Sequence, residues 1–288
     1  MVRMRVVLGL IAAAAFILVF GPARRFAQRR GSPVLRQAPV VLHRLLGFAL
    51  GVRVRVHGRP AGAARRLLVP NHVSWLDIPI LGAIEPMAFL AKKEIGAKWL
   101  GRELAALQGM IYIDRQRKRA IPKVNADIAA TMRAGEPVVL FAEATTSDGN
   151  RVLRFRSSHF EAVRAADEDG APSVVQPVFL HYSRLAGLPV TRAQRPRIAW
   201  YGDMTFWPHL RDYLACGGLI CDVHYGEPIP ASAYDDRKQL SRATERSLRA
   251  LAAKARFAVF RPEAVVPKPA ETIYKGALVP AETLVDPT

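Results

Sequence analysis

The sequence predicts an α/β protein, a mixed β-sheet flanked by helices, with an N-terminal helical region that anchors it to a membrane. Three observations predict this. Short apolar runs alternate with stretches of helical period along most of the chain, the pattern of a layered α/β fold. An apolar segment free of charge stands near the start. The positive charge gathers around that segment: of a net +18 over 288 residues, thirteen arginines and no lysine precede the first acidic residue, Asp77. The 29 basic and 24 acidic residues that remain leave only +5 for everything after Arg66.

The charge-free segment, VVLGLIAAAAFILVFG at 6–21, is sixteen residues long. As a helix it rises about 24 Å, short of the roughly 30 Å hydrocarbon core. It reads as a cleaved signal peptide, a full span in an adapting bilayer, or a half-inserted anchor. The arginines of GPARRFAQRR directly behind it disfavour cleavage and place an uncleaved anchor with its basic cluster on the cytoplasmic side. The next segment, Ala38–Leu50, is apolar apart from His43 and Arg44. It is either an interfacial helix whose arginine reaches lipid phosphates or a core helix of the domain. Basic charge beside an apolar anchor, without stacking aromatics, selects membrane lipids over nucleic acid as partner. Together these place the protein on the cytoplasmic face of the inner membrane.

After Gly51, VRVRVHG alternates apolar and basic residues, the period of a half-exposed strand. Apolar runs at 67–69, 87–90, 110–113, 138–141, 174–180, 198–201 and 219–223 read as further strands. Ile121, Val124, Ile128 and Met132 recur at helical steps between Pro122 and Gly135. A short helix is expected over 158–166 and a long charged one over 232–257, with Leu240, Leu248 and Leu251 on its buried side. The division that results is 1–50 for the anchoring helices, 51–261 for a catalytic domain and 262–288 for a proline-rich mobile tail. Cys216 and Cys221 match neither a disulfide framework nor a metal site, so no metal is expected and the compartment is a reducing one.

The chemistry centres on NHVSWLD, residues 71–77. A histidine suits base catalysis near neutral pH, and a carboxylate partner fixes its tautomer. His72 and Asp77 are five apart, which on a regular helix sets them some 140° from a common face. They meet only if the chain turns between them. Pro79 is tolerated in a helix that begins near Asp77, which leaves His72 on the loop ahead of it. Ser74 and Asp77 also fit the Ser-x-x-Asp capping pattern. The bland alternative is a surface turn, since Asn, Ser and Asp are common turn residues. Trp75 reads as packing, and His159, His181, His209 and His224 as structural.

Read with the segments that follow, the chain resembles the membrane-bound glycerolipid acyltransferases typified by 1-acylglycerol-3-phosphate acyltransferase. Their first motif, Asn-His-x-Ser-x-x-Asp, is matched at Asn71, His72, Ser74 and Asp77. FLAKKE at 89–94 stands where a strand with a lysine and a glutamate usually follows, and GMIYIDR, ending at Arg115, matches the second motif. FAEATTS at 141–147 stands in place of Phe-Pro-Glu-Gly-Thr-Arg-Ser, and VQPV at 175–178 in place of the fourth.

The resemblance implies transfer of a fatty acyl group from a carrier thioester, acyl-ACP or acyl-CoA, to a lysolipid hydroxyl, with no other cofactor. His72 would be the general base and Asp77 its orienting partner, while Asn71, Ser74, Arg115, Glu143, Thr145 and Thr146 would line the substrate site. Lys92 and Lys93 are either carrier-phosphate contacts or a solvated pair. Thr146 replaces the arginine expected to meet an acceptor phosphate, a charged fork exchanged for one neutral hydrogen bond. Arg115, Arg151, Arg154 or Arg156 are the residues available to take over that contact. TTSDGNRVL and AWYGDM look like the branch that acylates lyso-ornithine lipid, so that acceptor is favoured over lysophosphatidic acid. Ala142 and Ala144 replace the usual Pro and Gly. An alanine at 144 is costly if the turn needs a positive φ, and an impaired membrane-binding relative is the alternative that this raises.

Overall fold

The computed structural model describes residues 2–27, 36–92, 110–113, 118–167 and 171–258. The strands are β1 (Val52–His57), β2 (Arg65–Pro70), β3 (Ala88–Lys92), β4 (Ile111–Ile113), β5 (Val138–Val139), β6 (Ser173–Leu185), β7 (Leu188–Pro189), β8 (Leu219–Tyr225) and β9 (Ile229–Pro230). The helices are α1 (Val2–Ala27), α2 (Ala38–Leu50), α3 (Asp77–Gly82), α4 (Ile121–Arg133), α5 (Glu161–Asp167), α6 (Phe206–Leu214) and α7 (Arg237–Ala258). Among the described residues the strands form one sheet in the order β1-β8-β6-β2-β5-β3-β4, with β7 and β9 also paired to β6.

The sheet is mixed, as expected. β2 runs parallel to both β5 and β6, while β6 is antiparallel to β8. Pro177 sits inside β6 although proline lacks a ladder donor. It falls where β6 exchanges β9, paired at Val174 and Val175, for β8, paired from Val178. Its carbonyl is still used, accepting the Gly226 N–H at 2.9 Å.

Alternation along the strands divides the core into two layers. Leu67, Val69, Val138 and Val175 face α4, α5 and α7, through residues such as Ile128, Val163 and Leu248. Leu68, Val139, Val178 and Leu180 face the other way, toward Ile80 and Leu81 of α3 and Tyr213 of α6. The N-terminal helices belong to this second side. The Tyr213 hydroxyl donates to the Leu50 carbonyl at the end of α2 (3.1 Å), and Arg5 of α1 donates to the Gly217 carbonyl (3.0 Å). α1 approaches α2 closely at Gly9, where an added Cβ would stand 2.4 Å from that of Ala49.

α2 combines both readings of its segment. Val40, Leu42, His43 and Ala49 are buried, whereas Val41 and Phe48 are exposed. Its Arg44 donates to the Ala83 carbonyl at 3.0 Å, a contact within the protein. Along α1, Val7, Leu8, Leu10, Ile11 and Leu18 are exposed as well. No helix among the described residues is long and apolar enough to cross a membrane.

Two expectations are corrected. The apolar run at 198–201 forms no strand: Ile198 and Ala199 are buried, but their N–H groups turn back to the Arg195 carbonyl after the 3₁₀ turn Arg192–Arg197. Burial under a loop and burial in a sheet leave the same short apolar signal. The charged helix begins at Arg237, since residues 231–233 form a separate 3₁₀ turn. α6 went unforeseen because its buried residues, His209 and Tyr213, are not aliphatic. The tail at 262–288 lies outside the described residues.

Candidate active site

The site forms where β2 ends and the chain turns into α3. Asp77 is the first residue of that helix, and Pro79 occupies its first turn, as its missing N–H allows. The Asp77 side chain is wholly buried. Its Oδ2 lies 2.7 Å from His72 Nδ1 and accepts the N–H groups of Val73 (2.8 Å) and Ser74 (3.0 Å). Its Oδ1 accepts the hydroxyl of Tyr182 from β6. The turn at 72–76 therefore brings the His/Asp pair together, by folding the intervening backbone around the carboxylate. Only half of the expected capping pattern is present. Asp77 reaches back to the Ser74 N–H, but the buried Ser74 hydroxyl has no partner among the described residues.

With the Asp77 carboxylate accepting, His72 donates its proton from Nδ1, which leaves Nε2 as the ring's acceptor nitrogen. The ring stacks on Phe141, with centroids 3.9 Å apart. The His72 backbone is held on both sides: its carbonyl accepts the N–H (2.9 Å) and hydroxyl (3.2 Å) of Ser147, and its N–H donates to Glu143 (3.2 Å). Asn71 docks the loop onto β6, donating to the Leu180 carbonyl at 3.2 Å and accepting the Leu180 N–H at 2.7 Å.

Glu143 is buried, and burial is the main cause that pushes its carboxyl up to about 7. The negative charge of Asp77 acts in the same direction, against the backbone N–H groups of Leu153 and His72. Tyr182 is likewise pushed well above the usual phenol value, first by burial and then by Asp77. Ala144 adopts φ +61°, so the turn demands a left-handed residue and alanine takes up that conformation. Trp75 packs away from the chemistry. Its indole N–H donates to His209 Nδ1 (3.2 Å), whose Nε2–H donates to the Ala199 carbonyl (3.1 Å).

Of the residues expected here, Asn71, His72, Ser74, Asp77 and Glu143 converge. Thr145 is exposed and Thr146 half-buried on the turn after Glu143. Arg115 and Lys93 lie outside the described residues, and Arg151, Arg154 and Arg156 are exposed. Sequence reasoning missed Tyr182. It stands 105 positions from Asp77, and only the β6 register brings the two together.

Three consequences can be measured by denaturant unfolding in detergent. Tyr182→Phe removes a donor from a buried carboxylate and should cost about 1.5–3 kcal/mol. Ala144→Gly relieves the left-handed alanine and should gain on the order of 1 kcal/mol. Glu143, raised in the folded state, stabilises the fold fully below its ordinary value of 4.5, and that contribution is lost as pH rises through about 7. Stability should fall across this window in the wild type, and Glu143→Gln should flatten the slope.

Comparison with known proteins identifies the family. A family model described as Acyltransferase matches residues 53–181, which contain His72, Asp77 and the 141–147 turn. The chain is 38% identical over 231 residues to the lyso-ornithine lipid O-acyltransferase of Brucella abortus, covering 80% of this chain and 86% of that one. It is 32% identical over 226 residues to the 1-acyl-sn-glycerol-3-phosphate acyltransferase of Neisseria meningitidis, covering 77% and 84%. The fold is similar to the crystal structure of the 1-acyl-sn-glycerophosphate acyltransferase from Thermotoga maritima, with a TM-score of 0.55 at 18% identity, over 88% of this chain and 98% of that one. With its His/Asp turn lying inside the matched region and with relatives of this identity and coverage, the chain belongs to the lysolipid and glycerolipid acyltransferase family.

Proposed function

We propose that this acyltransferase moves a fatty acyl group from an acyl-carrier thioester to the hydroxyl of lyso-ornithine lipid. The observation that carries the reaction is the buried Asp77 holding His72 with Nε2 open for base chemistry. Nε2 takes the acceptor's hydroxyl proton as the oxygen attacks the thioester carbonyl. The new C–O bond forms, the C–S bond breaks, and the proton passes from His72 to the departing thiolate. Backbone N–H groups near the second or third motif hold the oxyanion in this reading. Acyl-ACP and acyl-CoA both suit this chemistry as donor, and it needs no further cofactor.

The acceptor is read from Thr146 and from the relatives. A neutral threonine stands where a phosphate-binding arginine is expected, and the 38% identical Brucella protein bears the name of a lyso-ornithine lipid enzyme. Lysophosphatidic acid is the second reading, supported by the Neisseria relative and by the arginines that follow Thr146. An impaired relative is disfavoured because Ala144 keeps the left-handed turn. For location, the exposed apolar residues of α1 and α2, from Val7 to Phe48, support a half-inserted anchor in the cytoplasmic face of the inner membrane.

The test supplies the reconstituted protein with a labelled acyl thioester and each lysolipid in turn. Acylated lyso-ornithine lipid is expected, with His72→Ala lowering kcat by about 10²–10⁴-fold. Product from lysophosphatidic acid alone would overturn the acceptor, no product from either would leave the impaired relative, and full activity of His72→Ala would remove the general base.

A further inference from the structure

The charge on α7 is one-sided. The helix carries seven basic residues and a single acidic one, Glu245. The other helices of the catalytic domain mix their signs: Lys123 and Arg133 accompany Asp127 on α4, and Arg211 pairs with Asp212 on α6. A helix that merely meets solvent normally interleaves its charges, because like charges repel. Glu245 does little to offset the excess. One oxygen pairs with Arg249 at 2.9 Å and the other accepts the Phe155 N–H at 2.9 Å.

That second bond extends the basic surface. At the other end of the helix, Arg256 turns inward and donates to the carbonyls of Asn150 (2.7 Å) and Gly149 (3.0 Å). Residues 150 to 155 in extended form span about 16 Å, and residues 245 to 256 of a helix span about the same. The segment after the FAEATTS turn therefore lies lengthwise and antiparallel along α7, tied at both ends. It sets exposed Arg151, Arg154 and Arg156 along the flank of the helix that also carries exposed Arg242 and Arg246. This surface reaches the site directly, since Ser147, which holds the His72 carbonyl, is two residues before Gly149.

An anionic bilayer does not fit this surface. α7 packs through Leu248 on the sheet face of Val175, whereas α2 and α6 pack on the opposite face, with α1 tied to them through Arg5. The exposed apolar side chains of α1 and α2 and the basic side chains of α7 therefore belong to opposite sides of the molecule. On α7 itself Phe257, in the last turn, is the one large apolar side chain exposed among the described residues. A free coenzyme has a few phosphates at one point, whereas this charge extends over several helical turns.

We infer that α7 and residues 151–156 form the docking surface for an acidic protein that presents the acyl thioester. The inference rests on the acyl-transfer reading above and deepens it, because it selects a protein-borne donor. Long-range attraction between opposite charges raises the encounter rate and is screened by salt.

The experiment uses the full chain in lipid nanodiscs and the charge-reversing variant Arg242→Glu/Arg246→Glu, with folding checked by thermal melts. Palmitoyl groups are delivered on an acidic acyl carrier protein or on coenzyme A. The expected result is a fall in kcat/KM of about tenfold or more with the carrier protein, shrinking at high salt, and a change under twofold with palmitoyl-CoA. Binding of the carrier protein, read by fluorescence anisotropy without turnover, should weaken by a similar factor. The binding arm decides the docking surface even if no lysolipid is acylated, so failure of the acyl-transfer reading is visible separately. Unchanged carrier affinity, equal losses with both donors, or loss of binding to phosphatidylglycerol vesicles with carrier kinetics intact would each overturn the proposal.

Discussion

A carboxylate removed from solvent must find donors, because an ionised group buried without them costs several kcal/mol. Asp77 meets this requirement by recruiting four: the His72 imidazole, the N–H groups of Val73 and Ser74, and the Tyr182 hydroxyl. Much of the site's geometry follows from satisfying that one charge. The turn between residues 72 and 77 curls because two of its N–H groups must point at the same oxygen. The imidazole presents Nε2 because Nδ1 is engaged. The loop is fastened to β6 twice, through Tyr182 and through the reciprocal Asn71–Leu180 pair. A His/Asp pair five residues apart is thus a consequence of electrostatic satisfaction rather than of helical spacing.

The FAEATTS turn is built against this loop and inherits its constraints. Glu143 and Ser147 grip the His72 backbone from either side, while Phe141 covers the ring. Holding this turn in place obliges residue 144 to take a left-handed conformation, which an alanine here accepts at some cost. Strain stored beside a reactive group and offset by surrounding contacts is a common arrangement at functional sites. The same contacts also bring a raised carboxyl, Glu143, against the backbone of His72.

The two sheet faces divide the remaining work. One carries α2 and α6, with α1 joined to them, and exposes apolar side chains. The other carries α4, α5 and α7 and, along α7, exposes arginine and lysine. The site opens between them, at the carboxyl ends of β2 and β5, where open α/β sheets commonly bind ligands. In the proposed reaction a lipid acceptor and a water-borne donor arrive from different phases. Opposite faces of one sheet give each a surface suited to its own solvent.

Much of this was legible in the chain. The alternation of VRVRVHG, the periodic Ile121–Val124–Ile128–Met132 series and the apolar run of β2 each announced an element, since backbone geometry imposes periods that local sequence must respect. Pro79 announced where α3 begins, and the His-Val-Ser-Trp-Leu-Asp order announced the dyad. The run at 198–201 misled because burial alone does not say which backbone pairs with which. Tyr182 was invisible for a related reason: its value lies in a partner 105 residues away, and no local pattern encodes a long-range register. The one-sided charge of α7 was present in the sequence, yet its place opposite the apolar helices was not. The sequence by itself determined the residue types, the periods and the turn that make the chemistry available. The tertiary structure alone decided which donors reach Asp77 and which face of the sheet each surface occupies, because strand order and register bring together groups that the chain keeps far apart.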